Sequence, residues 1–378
     1  MIKKVMTISS GNFPFSNEFD REAVVAKLQI AKSHYRAISE LPVLPQWAAQ
    51  LDDEIIRRSI FGTAAIEGNP LNEQQVQEII RSEIPPAAEH QADREIFNLK
   101  KAYDFLREAR RAALEQTFLD LNEDLLIQMN NIITEGVEYE DHLPGMYRDH
   151  RASVGDKAHG GVYVPPKHKQ DIKTLMAAFV EWINSEDIKA EDPFVRGVLA
   201  HYHFAAIHPF GQGNGRTARL IEALILSMSG IKYLPPMLSN FYYDHIDDYY
   251  RAFREVQKSK EHHMDGFLHF CLDALQESAL NLRTTVYSFI RILIVNQHID
   301  LLKKNKRISV RQHDLLKLMI SGPIFRLTLR TMLTESPFVS LYRNCSEATA
   351  RRDLKKLEMI GIIDKNNNEY TINLTTLG

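Results

Sequence analysis

Positions 208 to 219 read HPFGQGNGRTAR, setting one imidazole, one asparagine and two guanidinium groups among three glycines. His208 has a side chain that titrates near neutrality and can remove a proton from a hydroxyl attacking a bound phosphorus. Gly211, Gly213 and Gly215 can take positive φ and let a ligand approach the main chain closely. Asn214 can donate a hydrogen bond to a phosphate, and Arg216 and Arg219, three apart on one helical face, add planar donors suited to phosphate oxygens. Pro209 ends the preceding helix, and Phe210 anchors the loop in the core. These residue types point to a polyphosphate held beside a base. The residues alone leave a second reading open, with His208 a core histidine capping a helix and the glycines only a turn.

The elements around this stretch suit an anion. FVRGVLAHYHFAAI before it and RTARLIEALILSMSG after it are helical by apolar spacing, so the glycines feed the start of a helix. Unpaired N–H groups and the positive dipole end gather there. A P-loop or dinucleotide fingerprint does not fit, because this is GxGxG after a helix. Helices are expected near 21–40, 51–67, 72–82, 92–115, 121–134, 169–185, 191–207, 214–229, 244–257 and 264–292. Residues 140–169 interrupt the pattern with Gly, Pro, Asp and His, and GGVYVPP offers a short β run for a hairpin or flap.

The stretch resembles the signature of the Fic family, HPFx(D/E)GNGRxxR, and meets every fixed position but one. The resemblance implies a mainly α protein: a Fic-fold helical core with a β-hairpin flap, plus a small C-terminal α+β unit. It also implies transfer of AMP from ATP to a hydroxyl of a target protein. His208 would be the general base. Gly211, Gly213, Asn214 and Gly215 would surround the phosphates, with Arg216 and Arg219 on the β and γ groups. The departure is Gln212, where most relatives carry the acidic ligand of Mg²⁺; a neutral carbonyl should hold a hard cation more weakly. PGMYR at 144–148 and GGVYVPP at 160–166 resemble the segment leading into the family's flap, so Val162, Tyr163 and Val164 would dock the target by strand addition. SNFYYDHIDDYYRAF at 239–253 resembles the nucleoside-binding stretch, implicating Asn240, Tyr242 and Tyr250, and core packing accounts equally well for its aromatics.

Upstream, TAAIEGN at 63–69 ends a helix with Glu67 before Gly68. A carboxylate there faces the negative end of the helix dipole, at a cost of ~0.3–1 kcal/mol unless a cation balances it. Thr63, Glu67 and Gly68 resemble the family's inhibitory motif (S/T)xxxE(G/N). That resemblance pairs Glu67 with Arg219, in the space that a γ-phosphate requires, within the same subunit. It also implies that removal of AMP from the modified target is a further activity.

The sequence is divided here into residues 1–115, an N-terminal helical region carrying the inhibitory helix 51–67; residues 116–300, the Fic core; and residues 301–378. The last part carries 14 Lys and Arg against 7 Asp and Glu, a balance of +7, leaving 32 against 42, or −10, for residues 1–300. It resembles a winged helix. SEATARRDLKKLEMIG would be its third helix, with Leu354, Leu357 and Ile360 inward and Arg351, Arg352, Lys355 and Lys356 able to meet DNA phosphates through residues 346–361. A DNA-binding regulator that senses a nucleotide is therefore the alternative to an adenylyltransferase. Three histidines, His201, His203 and His208, are poor candidates for a metal hydrolase, since residues two apart on a helix point to different sides and no carboxylate completes the set. Cys271 and Cys345 lie far apart, outside any zinc-like spacing. No apolar run approaches the ~20 residues of a membrane span, and a cytoplasmic protein is expected. The expected partners are ATP, a target protein, DNA and a second copy of the chain, with no membrane.

Overall fold

The structure is a computed structural model. It describes all residues except 1, 40–43, 83, 88, 114–119, 159–160, 260–261, 322–325 and 374–378. By contacts the chain separates into two compact units, residues 1–283 and 284–378, and the division falls inside a helix. The described residues contain no helix long and apolar enough to cross a membrane.

The first unit opens with an antiparallel hairpin, β1 (Lys3–Met6) and β2 (Asn12–Phe15), followed by α1 (Arg21–Ser39), α2 (Pro45–Ile66), α3 (Glu73–Arg81), α4 (Gln91–Ala113) and α5 (Glu123–Thr134). After the Gly- and Pro-rich interruption come α6 (Lys169–Ile183), α7 (Glu186–Lys189), α8 (Pro193–Ile207), α9 (Asn214–Met228), α10 (Leu234–Asp244), α11 (Ile246–Lys258) and α12 (Asp265–Lys304). Proline sits in the first turn of α2, α8 and α10, where its missing N–H would have no helical partner anyway.

α8 is apolar around almost its whole circumference and correspondingly buried, with Phe194, Val198, Leu199, Phe204 and Ile207 inside. It packs along α9. α9 in turn meets α4 and α5, and α2 lies against α10. The first hairpin is sealed onto this core by Phe15, whose ring is 5.4 Å from that of Trp182, and by Ser16, whose N–H and carbonyl both meet His203 Nε2.

The second unit contains the end of α12, then α13 (Val310–Ser321), β3 (Arg326–Thr328), α14 (Leu329–Thr334), α15 (Phe338–Tyr342), α16 (Glu347–Met359), β4 (Ile363–Asn366) and β5 (Glu369–Ile372). The three strands pair antiparallel in the order β3-β5-β4. Leu354 and Leu357 are buried in its core and Ile360 packs at the edge, while Arg351, Arg352, Lys355 and Lys356 are exposed.

The mainly α expectation holds, with three differences. The first hairpin, α7, α10, β3 and α15 are additions to the elements expected. α12 continues to Lys304 instead of ending near 292, so part of the polar LLKKNKRIS stretch is still helix. α2 starts at Pro45, six residues earlier than expected.

Candidate active site

α8 ends at His208, which takes the left-handed conformation with φ 52° and ψ 57°. That conformation is uncommon for a residue with a Cβ and persists only where the surroundings hold it. Here Arg148, itself buried, supplies the hold. Its Nε donates to the His208 carbonyl at 2.7 Å, its Nη1 to that of His150 at 2.7 Å and its Nη2 to that of Pro166 at 2.5 Å. Its main-chain N–H donates to the Pro209 carbonyl. The Asn214 side chain closes the loop from inside, accepting from Phe210 N at 2.9 Å and donating to the Phe210 carbonyl at 2.7 Å. Asn214 is therefore a loop clasp that uses one of its two amide hydrogens. Phe210 is fully buried between Tyr147 and Phe204.

α9 begins on Gly213, whose φ of 77° suits glycine and which has no side chain to cap the helix. Gly215, in the first turn, lines a cavity of about 340 Å³ together with His208, Arg219, Glu67, Tyr249 and Tyr250. Gly211 lies against the Asp141 carbonyl and His142, outside this lining.

Glu67 occupies the anion position. As the C-terminal cap of α2 it sits at the wrong end of its own helix, yet it stands over the first turn of α9, where the dipole favours it. Its Oε1 accepts from Arg219 Nη2 at 2.7 Å. Burial alone would raise its pKa, but the Arg219 and Arg216 guanidiniums hold it below the ordinary carboxylate range. Arg219 is further fixed by Thr63, whose hydroxyl accepts from Nε at 2.8 Å and whose carbonyl accepts from Nη2 at 3.2 Å. Tyr249 also reaches Arg219, and its hydroxyl meets His201 Nε2 at 2.8 Å. Gly68, with φ 86°, turns the chain away just after the carboxylate.

Burial lowers the His208 pKa to about 4, reinforced by the Arg148 cation and opposed by Glu67. The imidazole is neutral at pH 7 and can accept a proton. A neutral base, uncapped amides and a guanidinium already gripping a carboxylate share one cavity. This arrangement can hold a phosphate chain and deprotonate a nucleophile beside it.

Residues 120–226 match the Fic/DOC family. The crystal structure of a Fic family protein from Desulfovibrio desulfuricans G20 is similar to this chain with a TM-score of 0.55 at 20% identity, covering 93% of this chain and 95% of that one. The chain therefore contains a region similar to the Fic/DOC family. It is 29% identical over 180 residues to protein adenylyltransferase fic-1 of Caenorhabditis briggsae, covering 47% of this chain and 32% of that protein. It is 27% identical over 229 residues to protein adenylyltransferase Fic of Nematostella vectensis, covering 60% and 49%. The chain thus spans about a third to a half of the length of these curated relatives. Thr63, Glu67 and Gly68 lie outside residues 120–226, which match the family.

Around the Fic loop, the other residues singled out from the sequence are placed as follows. Val154 and Tyr163 form one antiparallel bridge, with N···O distances of 2.8 and 2.9 Å. Tyr163 points inward and donates to the Ala206 carbonyl, whereas Val162 and Val164 are 46% and 50% exposed. Gly160 is outside the described residues. Tyr250 lines the cavity, and its hydroxyl donates to the Ile66 carbonyl. Asn240 lies against Gly62 of α2. Tyr242 needs correction as a nucleoside residue: it is fully buried, donates to Glu222 and stacks on Tyr249. Its ring serves the core.

Gln212 is exposed, and its main-chain N–H donates to His142 Nδ1. One neutral amide oxygen does not make a resident Mg²⁺ site, and the described residues contain no cluster of three His, Cys, Asp or Glu able to hold a metal. His201 faces Glu222 and Tyr249 while His203 faces Ser16, on different sides of α8.

Two features escaped the sequence reading. Arg148 belongs to PGMYR, and its burial and its grip on three carbonyls arise only from the fold. Arg216 does not turn toward Arg219. It donates to the Tyr139 hydroxyl at 3.0 Å and lies 3.3 Å from Glu95, partners that no spacing in the sequence indicates.

Proposed function

We propose that this protein transfers AMP from ATP to a hydroxyl of a target protein and that Glu67 holds the activity down. The observation that carries the reading is the Glu67–Arg219 pair over the amino end of α9, beside a neutral His208. It supports a site built for phosphate oxygens and plugged by the protein's own carboxylate. The names of the curated relatives agree with this chemistry.

In the proposed reaction the phosphates lie on the α9 amides and Arg219 once Glu67 has left. His208 takes the proton of the target hydroxyl. The hydroxyl oxygen then forms a bond to the α-phosphorus as the bond to the pyrophosphate oxygen breaks. The charge that departs on pyrophosphate is met by the arginine. Mg²⁺ belongs to the substrate, arriving with ATP. Val162 and Val164, exposed beside the paired Tyr163, offer the edge along which an extended target segment would lie.

The test is transfer of label from α-labelled ATP. Releasing a charge-assisted pair of ~1.5–3 kcal/mol should raise labelling by Glu67→Gly about 10- to 100-fold over the unaltered chain. Adding His208→Ala should cut that by about 10²–10⁴-fold, the usual worth of a general base. Equal labelling in all three proteins would overturn the reading.

For residues 284–378 we propose a winged helix, supported by the order α13, β3, α14 with α15, α16, β4, β5 and by the sheet order. The exposed cations of α16 suit DNA phosphates. A gel shift with duplex DNA that weakens steeply with salt, and is lost in Arg352→Ala with Lys356→Ala, tests this.

A further inference from the structure

Glu95 on α4 is outside the signature, yet three groups converge on it. The Tyr139 hydroxyl donates to its Oε1, Asn69 Nδ2 donates to its Oε2 at 2.8 Å, and Arg216 Nη1 lies 3.3 Å from Oε1. The directions are consistent along the chain of bonds. Tyr139 keeps its proton, since burial raises its pKa, so its oxygen donates to Glu95 and accepts from Arg216 Nη2 at 3.0 Å. The guanidinium also lies 5.8 Å from the Tyr139 ring centroid.

Arg216 is 3% exposed, and its Nε and Nη1 have no hydrogen-bond partner; the approach to Glu95 is close in distance but not aligned as a bond. Buried donors left bare are costly, on the order of 1–3 kcal/mol each, and a native protein retains them where a ligand will meet them. Arg216 is the third residue of α9, directly after Gly215, and its charge helps to lower the pKa of Glu67.

We propose that Glu95 is a positioning residue for nucleotide recognition: its carboxylate beside Nη1 and the Tyr139 hydroxyl on Nη2 fix the Arg216 guanidinium, leaving Nε, which has no hydrogen-bond partner among the described residues, for the phosphate chain beyond the α-phosphate. Asn69 fixes the Glu95 carboxylate from its other oxygen. This inference rests on the phosphate-binding part of the proposed function.

The experiment is calorimetric titration of the full chain carrying Glu67→Gly with ATP and, separately, with AMP, repeated after adding Glu95→Gln or Tyr139→Phe. Tyr139→Phe keeps the ring and removes only the hydroxyl, so it guards against a packing defect in the first variant. Each should weaken ATP binding about 10-fold, the worth of one charge-assisted hydrogen bond, and leave AMP binding within about twofold. Unchanged ATP binding in both variants, or an equal loss for ATP and AMP, would overturn the inference. If Glu67→Gly itself fails to bind ATP, the proposed function falls and this inference with it; if it binds ATP and the added changes do nothing, only the inference falls.

Discussion

Glu67 Oε1 lies 2.7 Å from Arg219 Nη2 and fills the point where a β-carbon on Gly215 would stand. One carboxylate therefore sits on both the guanidinium and the helix end that the proposed reaction needs for phosphates. In the proposed reaction, binding of ATP in line for attack would compete with docking of Glu67 for the same atoms.

That overlap predicts a sign change at Gly215, whose backbone is helical. In the unaltered chain Gly215→Ala must push the carboxylate aside, which should cost ~1–3 kcal/mol and lower the unfolding midpoint. In the Glu67→Gly background only Arg219 Nη1, 3.2 Å from the added carbon, has to give by a few tenths of an ångström, and alanine in place of glycine should be neutral or gain up to ~1 kcal/mol. Thermal unfolding of the four proteins measures this coupling. Equal shifts in both backgrounds would show that Glu67 does not rest on Gly215.

Arg148→Lys tests the hold on the base. A lysine amine cannot serve the carbonyls of His208, His150 and Pro166 together as the planar fork does. With His208 free to leave its left-handed conformation, label transfer in the Glu67→Gly background should fall about 10²-fold, the scale of a misplaced catalytic group. Retention of full transfer would remove Arg148 from the account.

Histidine burial sets the acid response. Burial lowers His142, His203 and His208 to about 4, against ~6.5 in the unfolded chain. Their neutral forms favour the fold fully above pH 6.5. Between pH 6.5 and 4 the unfolded chain binds protons that the folded one does not, so stability falls as pH falls. His203, fully inside and away from the cavity, should account for up to ~3 kcal/mol of that loss, and His203→Gln should flatten it. Unfolding midpoints at pH 7 and pH 4.5 check the point. For the same reason the acid limb of kcat/KM in Glu67→Gly should lie near or below pH 4 instead of near 6.5, since removal of Glu67 takes away a charge that raises His208.

What the sequence made legible depends on range. His208, the glycines and Arg219 sit within twelve residues, so their types and spacing expose the loop directly. Glu67 is distant, but its awkward place at a helix end called for a cation, and Arg219 is that cation. Arg216 and Glu95 meet because α4 packs against α9, with Tyr139 and Asn69 brought in from the segments after α5 and α2, and no local pattern records such an encounter. Tyr242 misled because aromatic spacing on α10 and α11 is the same for a core stack as for a ligand wall. The first hairpin was missed because its strands are four residues each with Pro14 in one of them, and α10 because Pro235 and Pro236 read as a break where they open a helix.

The most direct measurement is a crystal of Glu67→Gly soaked with ATP and Mg²⁺. The account predicts a terminal phosphate hydrogen-bonded to Arg219 where the carboxylate stood, main-chain N–H groups of residues 213–215 on the phosphate chain, and the α-phosphorus facing His208. Phosphates bound elsewhere, with Arg219 still turned to Thr63 alone and His208 facing no phosphorus, would contradict it.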